Sequence, residues 1–510
     1  PKWYIRMCNV HARYGVLFVT AKFNVDIVNS IFIENKGHRG GAVHIHGPTD
    51  KFIHSLFIVH CTFRSNEIKM GLGTAVYVKN CNFFQAYNVT ICNNLVKRAR
   101  HNNKALILTI GLHNVLIYGS SFINDLGGTI YLSSSNVTLV DCIFENNKGR
   151  KNIDLKGSDQ VIIANCNVYN NSASEAFILH LDFFKNIKIS NSKFDFNYGK
   201  EGLIKTAKKT NRHSPSGVQK IQMFQCVFIN NLNEYAIHSE FHKKIRFSVL
   251  MYQTIFRMHD RYERISKPNM QKSKYFIMNV WGFISLKDVR FTLINSRLIY
   301  TRRVLPNYIK ANIEVSGGAN ISLISCKFIF KMRTLYAEGK GRGNIKVVNC
   351  TFSLNDALFG GAFKISNLEA VRIISCVFSS CKARKSGGAL WVSDVLAVYI
   401  KSTVVVGNKA ELLGGGMYFD VIGNIMFVDV NFRQNIALSN AAGFYALTII
   451  EGIQIISSNF VSNLLKPKDN SSLLSISSDK EIQQTVNFVC FKSKWVILDT
   501  VQFDDSDSPG

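Results

Sequence analysis

One short module occurs twice in succession between residues 350 and 392, and nothing else in the chain restricts its fold so strongly. The stretch reads CTFSLNDALFGGAFKISNLEAVRIISCVFSSCKARKSGGALWV. An apolar run leads to Cys-x-Phe, then to a polar turn that Asn can end, then to Gly-Gly-Ala and a second apolar run. Cys350, Phe352, Asn355 and Gly360-Gly361-Ala362 make the first copy. Cys376, Phe378 and Gly387-Gly388-Ala389 make the second, about 26 residues on, with Cys381 where the turn Asn would stand. A fixed period of about 20 to 50 residues marks a chain of stacked units, each contacting its neighbours.

The same module recurs along most of the chain. Cys61, Phe63 and Asn66 form one copy, Cys142, Phe144 and Asn147 another, and Cys226, Phe228 and Asn231 a third. A degenerate copy has Ile91 and Asn94, and further copies carry Cys166 with Val168, Ser192 with Phe194, and Cys326 with Phe328. The apolar runs alternate, so Cys and Phe share an inward face while Thr62, Lys327 or Thr351 between them faces solvent. Helical spacing is absent over any useful length. The pattern predicts an all-β, single-stranded right-handed parallel β-helix of about 17–18 coils, with two or three strands per coil. Phe at one position in successive coils would stack into an aromatic ladder. Asn at the turn would take left-handed geometry and bond the Asn one coil on. Gly-Gly would supply positive φ, and Ala a small inside corner.

Four segments are expected. Residues 1–231 form regular coils with an N-terminal end that falls inside a module. Residues 232–320 are irregular coils with long basic insertions. Residues 321–465 are regular again, and 466–510 hold a degenerate end and an acidic tail. Both termini read as mid-module, so the chain is expected to be part of a longer protein. The 510 residues are 47% hydrophobic and carry a net charge of +27. That hydrophobicity argues for a packed core and against disorder, and the charge predicts attraction to polyanions. No uncharged apolar run reaches the roughly 18 residues a membrane helix needs.

The pairing of FxxN with GGA[ILV] resembles the repeats of the polymorphic outer-membrane proteins of chlamydial surface adhesins. Tetrapeptides beginning at Phe32, Phe63, Phe144, Phe194, Phe228, Phe352, Phe432 and Phe460 match the first element. Gly40-Gly41-Ala42-Val43 and Gly388-Ala389-Leu390 match the second. The resemblance implies a pectin-lyase-like β-helix and adhesion to host surfaces. Sequons at Asn88, Asn136, Asn170, Asn320, Asn349 and Asn470 would suit a secreted protein.

Candidate chemistry is sparse. The register-matched cysteines, Cys61, Cys142, Cys166, Cys226, Cys326, Cys350 and Cys376, read as stacked buried thiols, and Ser takes the same slot at 30, 192, 402 and 458. A disulfide between Cys350 and Cys376 is the alternative. His44 and His46 share the outer face of one strand. They are the weak candidates for a metal, against a solvated basic patch. A lyase or hydrolase on this fold would need carboxylates in pairs, or Asp with Arg and Lys, lining a groove across coils. The one adjacent acidic pair found is Asp504-Asp505, in the tail. Basic runs at Lys97, Arg98, Arg100, Lys208, Lys209, Arg261, Arg264, Lys272, Lys274, Arg302, Arg303, Arg384 and Lys385 would line up as a polyanion stripe if their turns share one side, and are otherwise solvated loops.

The reading is a non-enzymatic surface or secreted repeat protein, extracellular, acting in adhesion, glycan contact or structure. A polysaccharide lyase or hydrolase and a polyanion-binding basic rod are the alternatives. No cofactor is expected. The expected partners are a glycan or other polyanion and a cell-surface receptor, not nucleic acid, since no recognised module accompanies the charge. Because Cys, Phe, Asn and Gly-Gly-Ala are all explained by stacking and turning, recognition is assigned to outward residues between them, such as Lys364, Arg372, Arg384, Lys385 and Trp391.

Overall fold

The computed structural model describes residues 2–504 except 4–5, 9–10, 13–15, 21–23, 38–40, 48–52, 69–72, 97–105, 150, 174–176, 200–201, 208–217, 230, 234–236, 240–245, 259–283, 288, 301–310, 318–319, 331 and 466–487. The described elements are all strands, and every resolved pairing between them is parallel. The chain divides into two compact units, residues 1–248 with 271–280 and residues 249–270 with 281–510.

One coil of the second unit shows the arrangement. Leu335–Glu338, Asn344–Val348, Thr351–Ser353 and Asp356–Ala357 follow one another around the coil. Each pairs with the strand one module later: Leu335 with Phe363, Asn344 with Ala370, Thr351 with Val377, and Asp356 with Lys382. The four strands of this coil exceed the expected two or three, whereas the coil before it, Ile313–Ser316, Asn320–Ile324 and Lys327–Phe330, has three among the described residues. The extra one is two residues long and follows the turn Asn, whose rung fixes the chain there long enough for two more residues to pair.

In the first unit Met7, Phe32, Phe63, Ile91, Phe122, Phe144, Val168, Phe194 and Phe228 lie in register, rung on rung. In the second, Phe256, Leu298, Phe328, Phe352, Phe378, Val405, Phe432, Phe460 and Phe503 do the same. Neighbouring rings stack nearly parallel, with centroids 4.9 Å apart for Phe328–Phe352 and Phe352–Phe378 and 4.8 Å for Phe122–Phe144. Coil spacing of about 4.8 Å is close to the separation at which aromatic faces meet, so one residue type serves every coil.

The Asn ladder also forms. Asn66 Nδ2 donates to Asn94 Oδ1 at 3.1 Å and to Phe32 O at 3.1 Å, and Asn435 Nδ2 donates to Asn463 Oδ1 at 2.9 Å. Asn147, Asn171 and Asn197 continue the row, and Asn197 Nδ2 reaches Asn231 Oδ1 at 3.1 Å. Cys381, in the Asn slot, offers its Sγ to Asn355 Oδ1 at 3.6 Å. The left-handed residue, however, is the one before each ladder Asn: Glu34, Ser65, Asn146 and Leu354 have φ of 55°, 54°, 54° and 61°. The ladder Asn is held by its side chain, and the preceding residue turns the corner.

The cysteine slot proves to be more than a small hydrophobic site. Cys61 Sγ donates to Val59 O at 3.3 Å, Cys376 Sγ to Ile374 O at 3.2 Å, and Ser30 Oγ to Val28 O at 2.9 Å. The side chain caps the carbonyl two residues back, beside a second left-handed corner residue such as Asn29 or His60. A short donor is required, so Ser replaces Cys. Ser402 is an exception, since it is itself the left-handed residue, φ 46°, and Thr403 takes the capping slot. Cys350 and Cys376 are both free thiols, so no disulfide joins them. Of the paired glycines, Gly387 has φ +72°, whereas a Cβ on Gly361 would meet Gly388 O of the next coil. The first glycine turns the chain and the second admits the neighbouring backbone.

Candidate functional site

The strand after Gly-Gly-Ala begins with a buried apolar residue, so its second residue points outward. In the second unit this outward column runs Glu314, Tyr336, Lys364, Trp391, Tyr418 and Tyr445. Residues far apart in sequence become a continuous face. Trp391 and Tyr418 stack with centroids 6.1 Å apart, and Tyr418 and Tyr445 with centroids 5.6 Å apart. Ala441 and Leu413, from corner turns, pack over this end, leaving Tyr418 and Tyr445 buried.

Cations gather at the other end. Lys364 Nζ lies 5.1 Å from the Trp391 ring centre, 5.4 Å from Tyr336 and 5.7 Å from Phe359. Lys385 Nζ lies 5.2 Å from Phe359, and the Arg333 guanidinium 5.9 Å from Tyr336. Arg333 is only 8% exposed and donates from Nη2 to Phe359 O at 2.8 Å and from Nε to Gly360 O at 3.3 Å. Burial pulls its pKa down to about 10. Burial, and then the charge of Arg333, also lower the pKa of Lys364. Glu338 borders this end and accepts from Tyr336 Oη at 2.7 Å. Beyond Trp391 the sign reverses: burial and the charge of Asp394 raise the Asp420 carboxyl.

The first unit carries a different constellation in its equivalent column: Phe18, His44, Tyr77, Leu108, Tyr131, Asp154, His180 and Lys205. Asp154 Oδ1 is 2.7 Å from His180 Nδ1, and Asp154 Oδ2 is 3.3 Å from Lys151 Nζ. Despite burial, the His180 hydrogen bond and the lysines hold Asp154 below the usual carboxylate range. Lys156 Nζ sits 5.2 Å over the Tyr131 ring. Lys151 Nζ also lies 3.2 Å from His180 Nδ1, so carboxylate, ammonium and imidazole form one cluster.

Several expectations are corrected here. His44 is not a solvated basic residue. It is buried between Phe18 and Tyr77, with centroids 5.1 Å and 4.5 Å away, because its column is the aromatic one. His46 is half-buried on the same strand. Among the described residues no group of His, Cys, Asp and Glu is arranged to hold a metal ion. Of the expected basic stripe, only Arg384 and Lys385 fall among the described residues, both exposed. Lys97, Arg98, Arg100, Lys208, Lys209, Arg261, Arg264, Lys272, Lys274, Arg302 and Arg303 lie outside them. Lys364, Lys385 and Trp391 converge, whereas Arg372 lines a separate shallow groove of about 430 Å³ with Tyr399 and Met426. Arg333, Tyr336, Phe359 and the Asp154–His180–Lys151 cluster escaped sequence reasoning. The recurrence of Tyr or Trp at one register, 77, 131, 336, 391, 418 and 445, is the signal that could have found the column.

The family described as a right handed beta helix region matches residues 74–247. No curated protein sequence matches the chain. Among solved structures, a mutant of the PL6 family alginate lyase AlyGC is similar at 8% identity and a TM-score of 0.20, over 93% of this chain and 97% of that one. AlyGC without that mutation gives 8% and 0.19, over 95% and 100%. A mannuronic acid specific polysaccharide family 6 lyase from human gut microbiota gives 11% and 0.18, over 92% and 89%. Overlap this slight transfers neither a residue nor a substrate. The family match and the parallel register together make the architecture a right-handed parallel β-helix.

Proposed function

We propose that the protein is a non-enzymatic, surface-exposed or secreted β-helical repeat protein that holds an acidic glycan on the second unit's outward column. The observation that carries this reading is the crowding of Lys364 and Arg333 around Tyr336, Phe359 and Trp391. Arg333 lies close enough to lower the proton affinity of Lys364, so the pair favours an anion, and aromatic rings suit the apolar faces of sugars. Exposure of the sequon residues Asn88, Asn170, Asn320 and Asn349 supports a secreted setting, and the FxxN and GGA repeats support a role in adhesion. Calorimetry with polygalacturonate, alginate and heparin at low salt tests it. Binding should weaken about tenfold or more in Lys364→Met and in Trp391→Ala. Absence of binding to all three, or affinity in both variants unchanged from the unsubstituted protein, would sink the reading.

A second reading, a polysaccharide lyase, is favoured by one observation: Asp154, Lys151, Lys156 and His180 form the cross-coil set of Asp with cations that such chemistry needs. Incubation with acidic polysaccharides, watching ultraviolet absorbance of an unsaturated product, separates the two. No product with any of them retires the enzyme.

A further inference from the structure

Asp125 is the one acidic residue in the described Asn ladders, and it sits at full burial. Its Oδ1 accepts from Asn94 N at 2.8 Å and from Asn94 Nδ2 at 3.1 Å, while its own N donates to Asn147 Oδ1 at 3.0 Å. Those three bonds reproduce an Asn rung. The fourth atom does not. At the neighbouring rungs this atom is an Nδ2 that donates to the carbonyl of the preceding coil, as Asn94 does to Phe63 O at 3.1 Å and Asn147 to Phe122 O at 2.9 Å. In Asp125 it is Oδ2, buried and without a hydrogen-bond partner. An ionised Oδ2 would stand among acceptors, whereas a protonated one supplies the donor that the rung requires.

A second observation falls at the same place. The short strand after each ladder residue pairs continuously through 11–12, 36–37, 67–68 and 95–96, and again through 148–149, 172–173, 198–199 and 232–233. Between the two rows only single bridges remain, Leu95 to Leu126 and Leu126 to Lys148. The Asp rung coincides with the place where the sheet narrows to a single bridged residue, Leu126.

We propose that Asp125 is a proton-dependent rung, which holds the corner of its coil closed while its carboxyl carries a proton and releases the seam between Leu95 and Lys148 when the proton leaves. Of the titratable groups around it, Cys92 feels the charge of Asp125 and also that of Arg64, while the Lys148 backbone N–H donates to Asp125 O at 2.8 Å. Burial dominates, opposed by the two Asn94 hydrogen bonds, and pushes the carboxyl up to about 8. The Cys92 thiol is raised by burial and then by Asp125. An acid whose folded pKa exceeds its unfolded value contributes fully below the unfolded value, near 4, and its contribution is lost as pH rises toward about 8.

Hydrogen exchange of the intact chain, corrected for the intrinsic pH dependence of amide exchange, tests the rung. Protection of residues 121–128 should fall with pH by up to about tenfold per unit between roughly pH 4 and 8. In Asp125→Asn, which supplies the missing donor, it should stay level. Equal pH dependence in both proteins overturns the proposal. A measurement needing no variant is the infrared carbonyl band of a protonated carboxyl at neutral pH, expected in the unsubstituted protein. If every carboxyl is ionised there, the rung is not protonated and the proposal falls.

Discussion

Lys364 stands one coil before Trp391 in the same outward column, and its Nζ lies 5.1 Å from the indole ring centre. Neither residue belongs to the repeat, and only the stacking of coils brings them together. An ammonium held over aromatic faces is partly stripped of water, so it meets an anion with less desolvation still to pay. A glycan carboxylate or sulfate at this end should therefore bind with a measurable salt dependence. Lys364→Met should flatten the plot of log affinity against log salt by about one counterion, whereas Trp391→Ala should lower affinity with the slope unchanged. Titrations at three or more salt concentrations read both.

Phe352 is fully buried between Phe328 and Phe378, each 4.9 Å away, with Phe363 edge-on at 4.6 Å. Truncation to Ala leaves a cavity that the stacked coils cannot close, since backbone pairing fixes their spacing. Phe352→Ala should cost about 3–5 kcal/mol and Phe352→Leu distinctly less, because Leu298 already occupies an equivalent rung. Urea unfolding of the two variants checks the ranking.

The Asn435 side chain makes four ladder bonds, accepting from Asn408 N and Nδ2 at 3.1 and 3.0 Å and donating to Asn463 Oδ1 and Val405 O at 2.9 and 2.8 Å. Asn435→Ala leaves those buried partners unmatched and should cost about 3 kcal/mol or more. Asn435→Asp keeps the acceptor and loses the donor. Its deficit should be small in acid and grow as the carboxyl ionises, which unfolding at several pH values would reveal.

The ladders were legible because stacking repeats a chemical requirement in every coil. Cys376, Phe378 and Asn355 recur at fixed spacing since each answers one: a carbonyl to cap, a ring-shaped gap to fill, a rung to bond. The cationic end of the column answers no such requirement. Arg333, Phe359 and Lys385 come from three different turns, and period alone says nothing of how far a turn leans over the adjacent strand. Lys364 and Trp391 could be singled out as outward and variable, but not as neighbours of Arg333. The left-handed corner was misplaced by one residue for a related reason. Asn is the non-glycine residue that tolerates such geometry best, yet its side chain is already engaged in the ladder, so Leu354 or Glu34 takes the strain.

Val421 carries that logic furthest. It adopts φ 52° at a corner where the preceding coils place Asn367 at 55° and Asp394 at 54°. A β-branched residue in the left-handed region costs about 1–3 kcal/mol, and Val421 is 38% exposed, so little apolar burial offsets it. Val421→Asn should relieve this strain and stabilise the protein by about 1 kcal/mol, raising its thermal midpoint, as the column's own Asn367 suggests. Val421→Ile should leave the midpoint where it is or lower it, because the branch is retained and more apolar surface is exposed. A midpoint lowered by Asn would mean that Val421 contributes packing or contacts that outweigh its backbone strain.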